Sequence, residues 1–126
     1  MISQTTTKQF ENILTLFLIF CKKELNIKSL PTIHLIKDVR FSVKIGAFGE
    51  INRNNRIFID IKNRQPMDIL RTVAHELVHH KQHELGRYGS GVAGSYTENQ
   101  ANAKAGVIIR NFGKMHSEIF GLPPVK

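Results

Sequence analysis

Disulfides are excluded at once, because the chain has a single cysteine, Cys21. No internal cross-link holds the fold, and a lone thiol fits a reducing compartment. Set in an apolar stretch, Cys21 reads as a packing residue. Long apolar runs are also missing: the candidate at residues 13–21 falls short of the roughly 20 residues that cross a bilayer. Nor does it read as a secretory leader, since Glu11 stands just before it and Cys21-Lys22-Lys23-Glu24 follows without a small-residue cleavage site. No membrane span and a cytoplasmic location are therefore expected. Repeats, low-complexity tracts and clear linkers are absent, so the 126 residues are expected to form one domain, 1–126, around a single core. Acidic residues are few: ten Asp and Glu against eighteen Lys and Arg give a formal net charge of +8. Such a surface attracts nucleic acid, anionic membrane or acidic proteins without specificity. The basic residues are scattered, however, with no aromatic-interleaved strip and no recognisable nucleic-acid module.

What is present is more specific. His75-Glu76-Leu77-Val78-His79 is an H-E-x-x-H sequence inside a stretch that reads as helix. Residues at i and i+4 are helix neighbours, about 6 Å apart at Cβ, so both imidazoles can converge on one metal ion. Glu76 follows the first histidine, where its carboxylate reaches a metal-bound water rather than the metal. Zinc lowers the pKa of that water towards about 7, and the carboxylate can then accept its proton. This is the chemistry of peptide-bond hydrolysis. The context agrees: Pro66 and Asp68 mark a helix start, Ile69, Leu70, Val73, Ala74, Leu77 and Val78 recur at helical spacing, and Gly86 supplies a stop.

Zinc needs a third protein ligand. His80 points about 100° away from His79 around the helix, and His83 lies about 12 Å along the axis from His75, so neither shares the site. The metzincin pattern is absent, with Gln82 in its glycine position and Leu85 in its last histidine position. Glu98 is the better candidate. Ser95-Tyr96-Thr97-Glu98 has capping-box spacing, and Ala101, Ala105, Val107, Ile108 and Ile109 support a second helix behind a glycine-rich connection at residues 86–94. An antiparallel return would bring Glu98 opposite the histidines; the other reading closes Glu98 onto its own helix start.

The remaining pattern is mixed. Residues 8–25 are a helix candidate with Phe10, Ile13, Leu14, Phe17, Leu18 and Cys21 on its apolar side, within an N-terminal region 1–30. Residues 32–37 after Pro31 read as a strand, on which His34 alternates with apolar neighbours as a packed or surface histidine. Residues 41–51 and 56–61 flank the turn signal Asn52-Arg53-Asn54-Asn55, giving a β-hairpin. The expected class is α+β: an N-terminal helix, a small twisted and mostly antiparallel sheet, the motif helix and the glutamate helix. Residues 121–126 are expected to be a flexible tail.

On these residues, His75-Glu76-Leu77-Val78-His79 and then Glu98-Asn99-Gln100-Ala101-Asn102, the chain resembles the gluzincin metallopeptidases. It is most similar to their minimal single-domain (minigluzincin-like) members and to small peptidase-like proteins of tailed phages, over about residues 40–120. The resemblance implies a zincin-like fold and Zn2+ held by His75, His79 and Glu98, with Glu76 as general base. If a phage encodes the chain, it implies host cytoplasm. In thermolysin-like relatives an aspartate four residues after the ligand glutamate steadies the first histidine; Asn102 stands there, with an amide oxygen but no charge. Tyr88 matches a tyrosine that stabilises the oxyanion in such enzymes, with Tyr96 and His116 as rivals. The zincin-like fold also implies an edge strand that pairs with an extended peptide, for which Gly46-Ala47-Phe48-Gly49 suits close backbone approach. The reading is a zinc peptidase of restricted specificity or self-processing, acting on a peptide or protein. The alternative is a non-catalytic zinc-containing protein, associated with nucleic acid through its basic surface.

Overall fold

The computed structural model describes residues 6–38, 40, 49–52, 54–86 and 96–125. Thr6 opens helix α1 (Thr7–Glu24) with a reciprocal cap: its hydroxyl accepts from the Gln9 N–H at 3.0 Å, and the Gln9 side chain accepts from the Thr6 N–H at 2.8 Å. Phe10, Leu14, Phe17 and Cys21 lie along one stripe of α1 and all are buried.

The sheet has three strands, β1 (Thr32–Ile36), β2 (Gly49–Ile51) and β3 (Arg56–Asp60), in the order β1-β3-β2. The expected hairpin joins β2 to β3, antiparallel, with Gly49 opposite Ile59 and Ile51 opposite Ile57. Its turn is held by the Asn52 side-chain oxygen, which accepts from the N–H groups of Asn54 and Arg56 at 2.9 and 3.0 Å. Asn55, at φ 56°, takes the left-handed conformation that asparagine tolerates. β1, however, pairs with β3 in parallel, from Thr32 opposite Arg56 to Ile36 opposite Asp60. The sheet is thus mixed rather than mostly antiparallel. A tight turn dictates antiparallel pairing only for the strands it joins, and the long connection from β1 leaves that strand free to run with β3.

Helix α2 (Pro66–Glu84) begins with proline in its first turn and Asp68 close behind, as its sequence signals require, and the chain leaves it through Gly86 at φ 73°. Arg64 ties its start to the sheet, donating to the Asp60 carbonyl at 2.7 Å and to the Thr72 hydroxyl at 2.8 Å. Gly49 lets β2 lie against α2, because a Cβ there would sit 2.7 Å from Thr72 Cγ2 and 2.9 Å from Ile59 Cδ1. The fold's own packing therefore uses the missing side chain at Gly49; residues 46–48 lie outside the described residues.

Helix α3 (Tyr96–Met115) returns along α2, and a 3-10 turn (Ser117–Gly121) follows. Ala101 and Ala105 on its buried side keep the helix axes close, and Ile108, Ile109 and Phe112 extend the stripe. One core results, in which Phe17 meets Phe112 edge to face at 4.9 Å and Ile57, Ile59, Leu70 and Leu77 are fully enclosed. The expected flexible tail is corrected: Val125 is buried, its N–H donates to the Arg64 carbonyl at 2.8 Å, and its carbonyl accepts from Asn63 at 3.0 Å. An apolar side chain with both backbone groups paired is docked, not frayed. No helix among the described residues is long and apolar enough to cross a membrane.

Candidate metal centre

The amphipathic pattern of α2 decides where its histidines point. Leu70, Val73, Ala74, Leu77 and Val78 face the core, which turns His75 and His79 towards α3 across the shared groove. His80 points elsewhere, as its 100° offset requires: it is buried, with Nε2 donating to the Ser29 carbonyl at 2.9 Å. His34 is a packed histidine, stacked on Phe58 with ring centroids 4.8 Å apart.

Glu98, in the first turn of α3, meets both motif histidines. Its Oε1 lies 2.9 Å from His75 Nε2 and its Oε2 lies 3.1 Å from His79 Nε2, while the two Nε2 atoms are 3.1 Å apart. His75, His79 and Glu98 are the group among the described residues whose donor atoms are placed to hold one metal ion. Both carboxylate oxygens thus face the motif histidines across the groove; Ser95, the other half of the alternative cap, lies outside the described residues.

The donor set fits zinc. Four-coordinate zinc with bonds of about 2.0–2.1 Å separates its ligand atoms by roughly 3.3 Å. The observed spacings of 2.9–3.1 Å need only a few tenths of an ångström of opening. Two imidazoles and one carboxylate are also the His2Glu set of catalytic zinc, which leaves a fourth position for solvent or substrate. The side chains retain 14–21 % exposure, so the group is not sealed from solvent.

Glu76 is buried, at 7 % exposure, beside this group. Burial pushes its carboxyl up to about 7; His79 opposes the rise, and the charges of Glu98 and Glu50 add to it. His75 is held below the usual imidazole range, first by burial and then by His79, against the opposing pull of Glu98 and of its hydrogen bond with Asn102. A neutral imidazole and a carboxyl able to exchange a proton near pH 7 are the states that metal-assisted hydrolysis uses. Asn102 thus contacts the first histidine, in the place the resemblance implies for an aspartate.

The oxyanion candidates fare differently. Tyr88 lies outside the described residues, and Tyr96 is 71 % exposed at the start of α3. His116 is corrected: it follows the last turn of α3 whereas Glu98 is in the first, a separation of more than about 25 Å at the helical rise. Its ring packs on Phe112 at 4.6 Å and its Nδ1 lies 3.5 Å from Glu118. A helix of this length carries its two ends apart, so His116 cannot turn back to the groove. Sequence reasoning overlooked Gln82, registered only as a break in the metzincin pattern. It is 3 % exposed and meets His79 Nδ1 at 2.8 Å; its i, i+3 spacing from His79 was the available signal. No protein-family model matches this chain, and no curated protein or solved structure matches it either.

Proposed function

We propose that this chain is a zinc-dependent peptidase of gluzincin type on a zincin-like fold. The observation that carries the reading is the convergence of His75, His79 and Glu98, from two helices, beside the buried carboxyl of Glu76. Zinc bound there would polarise a scissile carbonyl and acidify the attacking water. Glu76 would accept a proton from the attacking water and return it to the leaving amine. β2 forms an edge of the sheet among the described strands, and Glu50 on it is close enough to influence Glu76. An extended substrate paired along β2 would therefore present its backbone at the centre.

The protein should bind one zinc per chain and cleave members of a peptide library or its own chain, with activity lost on chelation. Glu98→Ala should reduce zinc occupancy well below one, whereas His83→Ala and His116→Ala leave it near one. Full occupancy in Glu98→Ala with loss in either histidine variant would sink the gluzincin assignment.

The net charge of +8 supports a second reading, a non-catalytic zinc protein that binds nucleic acid. In that case affinity for duplex or single strands should fall steeply with salt and be indifferent to zinc. Gel-shift binding near physiological salt, with no cleavage of any peptide, would favour it over the peptidase.

A further inference from the structure

Gln82 is a buried amide at the junction of the two helices that carry the centre, and its orientation is fixed by a partner that has no choice. Its Nε2 lies 3.0 Å from the Thr97 carbonyl oxygen. A backbone carbonyl only accepts, so the NH2 end of Gln82 must face Thr97. The same nitrogen also donates to Gln100 Oε1 at 2.9 Å. The oxygen end is thereby turned to His79, where Oε1 lies 2.8 Å from Nδ1. An amide oxygen only accepts as well, so the imidazole must donate, and the His79 proton resides on Nδ1.

The consequence falls on the other ring nitrogen. A neutral imidazole with its proton on Nδ1 has a lone pair on Nε2, the atom that faces Glu98 Oε2 at 3.1 Å and His75 Nε2 at 3.1 Å. We propose that Gln82 is the positioning residue of this centre, fixing His79 in the tautomer whose Nε2 can ligate zinc. The inference rests on the zinc-site reading above. Through Thr97 and Gln100, Gln82 also grips α3 on either side of Glu98 in sequence. One side chain therefore orients a ligand from α2 and anchors the turn that presents a ligand from α3. This separates its role from that of Asn102, which contacts His75.

Two substitutions divide these functions. Gln82→Met keeps length and apolar bulk but removes the acceptor. Gln82→Glu keeps an acceptor for Nδ1–H but cannot donate to Thr97. The metal-free protein at pH 8, read by long-range 1H–15N correlation of the histidine rings, should show His79 protonated on Nδ1. Gln82→Met should shift His79 towards the Nε2–H form and weaken zinc binding, titrated with zinc alone, by about 10–100-fold. Gln82→Glu should retain the Nδ1–H pattern and bind zinc more tightly than Gln82→Met. A purely structural role would alter stability in both variants without moving the tautomer. The proposal is overturned if His79 in the unmutated protein has no proton on Nδ1, if Gln82→Met keeps the Nδ1–H pattern, or if Gln82→Glu loses it. The ring measurement needs neither zinc nor substrate, so it stands or falls separately from the peptidase assignment.

Discussion

Glu76→Gln should keep its zinc and lose peptide hydrolysis by about 10²–10⁴-fold, the usual worth of a positioned general base. The substitution preserves shape and hydrogen-bonding reach but leaves an amide that cannot take up a proton. Glu76 does not belong to the group that converges for metal, which is His75, His79 and Glu98, so metal content should be unchanged. The buried position of Glu76 also argues against collapse of the fold, because a neutral amide is easier to enclose than a carboxylate. Metal analysis and cleavage of a responsive peptide, measured on the same preparation, separate the two effects. A Glu76→Gln variant that cleaves as fast as the parent would remove Glu76 from the chemistry, and one that loses its zinc would make Glu76 a ligand or a structural support.

Much of this centre was legible because helical periodicity converts sequence spacing directly into geometry. The i, i+4 placement of His75 and His79, the turn of His80 away from them and the Pro66 and Gly86 boundaries all follow from 3.6 residues per turn and local backbone preferences. Glu98 was harder, since its approach depends on two helices packing closely, and the alanines at 101 and 105 hinted at that packing without specifying it. What spacing could not supply was long-range pairing. The parallel partnership of β1 with β3 and the docking of Val125 beside Arg64 join residues far apart in sequence. Neither leaves a periodic trace. Gln82 escaped for another reason: its importance lies in which end of its amide faces His79, and Thr97 on another helix decides that.

In the metal-free protein, Glu76 should contribute a loss of stability as pH rises from about 4.5 to about 7, opposite in sign to the contribution of His75, and Glu76→Gln should remove that loss. Burial lifts the Glu76 carboxyl from 4.5 to about 7, with help from Glu98 and Glu50 and opposition from His79. Between those values the folded chain holds a proton that the unfolded chain has released. The folded state therefore binds more protons, and its stability declines with pH across this window. Below it both states are protonated and nothing is lost; above it the full cost of enclosing the carboxylate is present. A shift of this size corresponds to roughly 3 kcal/mol. For a domain of this length that is on the order of 10 °C in melting temperature. The expected result is a Glu76→Gln variant that matches the parent near pH 4 and melts well above it at pH 8, both in the presence of chelator. Saturating zinc should narrow the gap at pH 8, since a bound cation favours the ionised carboxylate of the parent. Parallel melting curves for the two proteins from pH 4 to pH 8 would show instead that Glu76 is solvated or paired, and would remove the buried carboxyl from the account of the site.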